Sequence, residues 1–223
     1  MLGLRFRPII ENLDFLAGGI GTTFFVSVVG FFLGTFIAIF IAFGRRSGLV
    51  LPRYSSSAFI EAIRNTPFLV HIYFIYFGLG SLGINIPALP ALIIALVLMN
   101  AGYMAEIIRG GFEAIKEEQI KSAKSLGMST WQLNRYIVVP PALRTILPSA
   151  LNQFAITFVA SSLGVVIGVK EITWRADFLQ ARNFLSLESY LVAAAFYVIV
   201  VKFTLVASRF IDNRLFDYKI KDI

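Results

Sequence analysis

The chain has 223 residues, 57% of them hydrophobic and 22 of them Phe, more apolar surface than a single water-soluble core of this size can bury. Its 20 Lys and Arg against 13 Asp and Glu give a formal net charge of +7, but these basic residues sit between apolar blocks instead of clustering on one soluble surface, which argues against a nucleic-acid partner. Cysteine is absent, which excludes disulfides and thiolate ligands, and a single His with no grouped carboxylates offers neither a metal site nor an activated nucleophile.

Residues 1–19 carry Arg5, Arg7, Glu11 and Asp14 and lead into Gly18, Gly19 and Gly21. The uncharged run at about 20–43 is longer than the roughly 7 to 15 apolar residues of a cleaved signal. At ~1.5 Å per residue it crosses a hydrocarbon core of ~30 Å and forms the first predicted span. Gly30 and Gly34 make a G-x-x-x-G pair in it, read as close packing within the molecule. The second span, about 55–79, opens with Glu61 and Arg64. It is therefore expected to start outside the lipid and to enter near Pro67, whose missing donor kinks a helix. His71, just inside, is either a substrate or proton ligand or a hydrogen-bonded packing residue.

An uncharged loop with two prolines leads to the third span, about 89–110, whose end carries Glu106 and Arg109 three apart on one helix face. Arg64 is predicted to reach Glu106 from the second span, so that Arg64, Glu106 and Arg109 share the cost of burial near the interface. The fourth span, about 143–168, sets Gln153, Thr157, Ala160, Ser161, Gly164 and Gly168 on one small, polar face. That face either lines a path, with Gln153, Thr157 and Ser161 as its polar groups, or closes a helix interface. A polar outer segment, 170–187, is predicted to hold a short amphipathic helix around Trp174. The fifth span, about 189–210, contains Lys202, seven residues before Arg209 and read as snorkelling to the interface.

Between the third and fourth spans, about 113–141, lies the most polar internal segment. Residues 116–126 are good helix formers, and Gly127 supplies a left-handed stop. A second helix is predicted to start at Ser129, which forms a capping box with Gln132, and to stop at Pro140 and Pro141. Two helices about a Gly-centred bend make a firm knob suited to a socket on another protein, or an amphipathic loop lying on the lipid.

Three motifs carry a resemblance. Ser122-Ala123, Gly127, then Ile137, Val139 and Pro140 resemble the cytoplasmic-loop signature of ABC importer permeases. Asn100-Ala101-Gly102-Tyr103-Met104-Ala105-Glu106-Ile107-Ile108-Arg109-Gly110-Gly111 and Arg64-Asn65-Thr66-Pro67-Phe68-Leu69 are similar to segments of the polar amino acid branch of that family, which includes the histidine, glutamine and glutamate permeases. The chain departs from the signature at Lys121, which stands where the family has Glu, at Ser122 in place of Ala and at Val139 in place of Leu. The resemblance implies an all-α integral membrane protein of five transmembrane helices, with a helical cytoplasmic coupling loop in which Lys121, Ser122, Ala123, Leu126, Gly127 and Met128 meet an ATPase. It further implies two copies of that ABC ATPase subunit, which bind ATP and Mg, an external solute-binding protein and an amino acid substrate. The chain itself has no G-x-x-x-x-G-K-[ST] loop and is expected to be no enzyme.

Most of the basic residues fall on the side of the chain that holds the knob, which is therefore expected to be cytoplasmic, with the N-terminus outside and the C-terminus inside a bacterial cytoplasmic membrane. Five helices are few to surround a polar solute, so the path is expected between two permease subunits. In the family's polar branch the fourth span often carries Lys, an acidic or amide residue, Ser or Thr, and Ser, where this chain reads Val159-Ala160-Ser161-Ser162. That loss of polar groups points to a non-identical second permease. An autonomous channel or ion-coupled carrier is the alternative, weakened by the lack of an Asp or Glu deep in any span.

Overall fold

The structure, a computed structural model, describes residues 4–215, with side chains through Val206. Among these residues all regular structure is helical. After a single turn at Arg7–Ile10 come α1 (Leu13–Arg45), α2 (Val50–Asn65), α3 (Phe68–Ser81), α4 (Ala88–Glu113), α5 (Glu117–Ser125), α6 (Thr130–Ile167), α7 (Ile172–Asn183) and α8 (Ser186–Leu215). Four of them, α1, α4, α6 and α8, are long and apolar enough to cross a membrane.

The expected second span, 55–79, is not one helix. Thr66 is extended (φ −103°, ψ 131°), as a residue before proline is forced to be, and Pro67 starts a new helix for which its missing N–H costs nothing. The chain thus breaks where the charged α2 gives way to the apolar α3. α3 alone, with 14 residues and a π-helical turn at Phe74–Gly78, is about 20 Å long, less than the hydrocarbon thickness.

α4 is the hub. Its most extensive contact is with α1, and the two approach closely because Gly30 and Gly34 face it. A Cβ on Gly30 would lie 2.6 Å from the Leu96 Cβ, and one on Gly34 2.5 Å from the Asn100 Cβ and 2.7 Å from the Val97 carbonyl. The G-x-x-x-G pair is therefore an intramolecular seam. Val26, Ile72, Ile75, Leu92, Leu96, Met99 and Ile167 close the core around it. A second core gathers Leu16, Phe158, Ile172, Ala176 and Leu179 where α7 lies across α1, α6 and α8.

α6 corrects a further expectation. Pro140 and Pro141 do not end a helix; Thr130–Ile167 is continuous. A π-helical turn at Leu133–Val138 widens the backbone just ahead of the prolines, which relieves the clash between a proline ring and the carbonyl four residues before it. At its far end α6 tightens into a 3₁₀ turn at Ser161–Ile167 and stops at Gly168, which is left-handed (φ 78°).

Candidate functional site

Two parts of the molecule carry the residues that the sequence singles out: a polar knob at one end of α4 and α6, and polar groups inside the helix bundle. The knob is built by local rules. α5 ends in a Schellman motif, in which the Met128 N–H donates to the Ala123 carbonyl (3.2 Å) and the Gly127 N–H to the Lys124 carbonyl (2.9 Å), with Gly127 at φ 78°. Ser129 then caps α6. The Gln132 N–H donates to Ser129 Oγ (3.3 Å) and the Ser129 N–H to Gln132 Oε1 (2.9 Å), a complete capping box. Ala123 is buried under the bend, whereas Lys121, Ser122 and Gly127 are exposed. Leu126 is 83% exposed and Trp131, edge-on to the Tyr136 ring, 67%, large apolar side chains that the described residues leave largely uncovered on a polar surface.

Behind the knob, Glu106 forms ion pairs with three arginines on three helices, hydrogen-bonded to Arg45 and Arg109. Arg109 Nη2 stands 2.9 Å and Arg64 Nη1 3.6 Å from Glu106 Oε2, and Arg45 at the end of α1 donates to Oε1. Arg109 also pairs with Glu113. Arg45 is the member that sequence reading missed, because it belongs to the first span and reaches Glu106 only through the α1–α4 seam. The cluster ties α1, α2 and α4 together at one end of the bundle, and Arg64 lies over the Tyr103 ring, 5.4 Å from its centroid.

Inside the bundle, Gln153 and Thr157 do not face an open surface. Asn100, fully buried in α4, accepts from Gln153 Nε2 (3.2 Å) and Thr157 Oγ1 (2.8 Å) and donates to the Leu96 carbonyl (2.8 Å). Ser161 is buried too and donates to the Phe158 carbonyl (2.7 Å). The polar face of the fourth span therefore packs on α4, and Gln153, Thr157 and Ser161 do not line an open path within this chain. An Asn in the middle of an apolar helix was the available sign that a polar contact waited there. His71 is half-buried in α3, apart from the Asn100 cluster, and its buried Nδ1 has no hydrogen-bond partner among the described residues.

The segment joining α6 to α7 holds a buried carboxylate that sequence reading also missed. Glu171, 0% exposed, caps α7 by accepting from the Thr173 N–H (2.9 Å) and the Trp174 N–H (2.7 Å), and it accepts from the Tyr197 hydroxyl (2.5 Å). Burial pushes its carboxyl above the ordinary value, against the lowering effect of the bonds from Tyr197, Thr173 and Trp174. The α7 helix lies where a short helix around Trp174 was expected.

The described residues thus form a helical bundle in which four helices are long and apolar enough to cross a membrane, with a capped polar knob between two of them. Comparison with known proteins gives the family. Residues 30–217 match the model of the binding-protein-dependent transport system inner membrane component, and the chain belongs to that family. It is 36% identical over 205 residues to the glutamine transport system permease protein GlnP of Escherichia coli (strain K12), covering 91% of this chain and 92% of that one. It is 33% identical over 209 residues to the probable amino-acid ABC transporter permease protein YckA of Bacillus subtilis (strain 168), covering 94% and 92%. A crystal structure of an amino acid ABC transporter with histidines superposes with a TM-score of 0.90 at 31% identity, over 96% of this chain and 100% of that one. The MetNI methionine ABC transporter, inward facing, shares the fold with a TM-score of 0.75 at 19% identity, over 92% of this chain and 98% of that one.

Proposed function

We propose that this chain is the transmembrane permease subunit of an ATP-binding-cassette importer and forms half of the translocation path for a polar amino acid. The observation that carries the reading is the knob: a bend fixed by a Schellman motif and a capping box, with Leu126 and Trp131 presented outward on rigid backbone. Exposed apolar anchors on a stiff support are what a socket on a partner needs. In this reading Lys121, Ser122, Leu126, Gly127 and Met128 form the surface that meets the ATPase, and Ala123, buried beneath the bend, supports it. ATP and Mg act in that partner, two copies of which serve the complex. An external solute-binding protein delivers the amino acid.

The chain crosses the membrane five times in this reading, the second crossing being made by α3 with α2 lying at the membrane face. Such broken helices are stable where neighbouring protein covers the freed backbone. The knob, Arg45, Arg46 and Arg53 are then cytoplasmic, as the excess of basic residues on that side requires, with the N-terminus outside and the C-terminus inside.

The working complex pairs this subunit with a second, non-identical permease. Gln153 and Thr157 are spent on Asn100 and Ser161 on the Phe158 carbonyl, and Val159 is exposed where the family's polar branch often has Lys. Two copies of this chain would bring little fixed charge to an amino acid's carboxylate and ammonium groups in a medium of low dielectric. Of the path residues assigned in this reading, His71 is the one whose buried Nδ1 has no hydrogen-bond partner among the described residues. Expression of this chain with the ATPase and the binding protein is expected to give no substrate-dependent transport until the second permease is added; transport without it would contradict the pairing.

A further inference from the structure

Beside the Glu106 cluster, the turn between α1 and α2 and the end of α4 enclose an open cleft of about 420 Å³, of a size to hold a small polar group. Its walls carry Arg45, Arg46, Arg53, Arg109 and the single carboxylate Glu113, with the hydroxyls of Ser47 and Ser57. The adjoining cleft adds Arg64, Glu61 and Glu106, so five guanidinium groups stand against three carboxylates across the two. Glu106 holds Arg45, Arg64 and Arg109. Neither Arg53 nor Arg46 has a carboxylate partner among the described residues, and Arg46 lies over the Phe112 ring, 5.2 Å from its centroid.

Next to this unbalanced charge stands exposed apolar surface. Leu49, Val50, Leu51 and Tyr54, at the start of α2, are 68%, 71%, 78% and 71% exposed. Such a helix start rests with its apolar side chains at the boundary of headgroup and acyl chain. Guanidinium groups recognise phosphate oxygens by paired hydrogen bonds. Their position beside acyl-seeking side chains fits a ligand with a phosphate at one end and hydrocarbon at the other. We propose that the cleft binds the phosphate of an anionic phospholipid headgroup and so fastens the α1–α2 turn to the membrane surface. The inference rests on the reading of this turn as lying at the cytoplasmic membrane face.

The test uses the full chain exchanged into mixed phosphatidylglycerol and phosphatidylcholine vesicles, extracted, and weighed by native mass spectrometry for retained lipid. Retention of phosphatidylglycerol over phosphatidylcholine is expected. Arg46→Gln with Arg53→Gln is expected to weaken it by about thirtyfold, the effect of two basic residues near an anionic surface. Neither arginine pairs with Glu106, so thermal unfolding should stay near that of the parent chain. If the double variant unfolds, Arg53→Gln alone serves, with a loss of about fivefold. Millimolar inorganic phosphate that displaces the lipid would assign the cleft to a soluble phosphate and overturn the lipid proposal, as would equal retention of the two lipids or retention unchanged in the variants. Ser47→Cys in this cysteine-free chain, labelled from each side of sealed vesicles, reports the sidedness separately, so an error of orientation is distinguishable from failure of the lipid site.

Discussion

At the scale of single residues, burial and charge decide more than conformation does. Glu106 faces three guanidinium groups, and its own side chain is 16% exposed. Glu106→Gln removes the carboxylate that all three share, leaving only Arg109 with a second acidic partner in Glu113, and the loss is expected to be about 3 kcal/mol, the low end for deleting one partner of a buried pair because the arginines retain some solvent. A thermal unfolding midpoint in detergent unchanged from the parent would refute this. Glu171 behaves in the opposite sense. Its folded pKa lies above the reference value of 4.5, so the folded state keeps a proton that the unfolded chain has released. Its contribution is therefore fully present below about 4.5 and declines as pH rises to the folded value. Glu171→Gln keeps an acceptor for the cap and is expected to abolish that decline, seen as unfolding midpoints that converge at low pH and separate above it. Superimposable pH profiles would contradict the assignment.

At the scale of elements, what was legible in the sequence was what local chemistry determines. Gly127, Ser129 and Gln132 specify a bend through backbone donors within six residues of one another, and the structure makes those bonds. Pro67 likewise marks the break between α2 and α3 because a proline restricts its predecessor wherever it stands. The failures are tertiary. Pro140 and Pro141 read as a stop, and only the π-helical turn before them, which has no sequence period of its own, carries α6 through. Periodicity grouped Gln153, Thr157 and Ser161 on one face but could not say that Asn100 would cover the first two of them. A direct prediction belongs to the bend. A Cβ on Gly127 would meet nothing within 4 Å, so the cost of Gly127→Val is confined to the left-handed backbone, about 1–2 kcal/mol. The variant is expected to insert and fold but to lose ATPase activity stimulated by the loaded binding protein, whereas Gly127→Asn, which tolerates that conformation, should retain most of it. Full stimulation in Gly127→Val would separate the knob from coupling.

At the scale of the whole molecule, the described residues form a bundle centred on α4, with the Glu106 cluster at one end and the α7 crossing at the other. The two ends are linked by long helices: α6 runs without interruption from the capped knob, past the Asn100 contacts, to Gly168. In the function proposed above, displacement of the knob by a docked ATPase would pass along α6 toward Gly168, which is what alternating access driven from outside the subunit requires. An autonomous channel or ion-coupled carrier would need no such partner. The central claim is tested by proteoliposomes that contain this chain, the second permease and the ATPase, with the binding protein outside and labelled glutamine as the probe, set against a panel of unlabelled amino acids. The expected result is uptake, reduced by competing polar amino acids, that stops when either internal ATP or the binding protein is withheld; uptake that continues with either one absent would contradict the account.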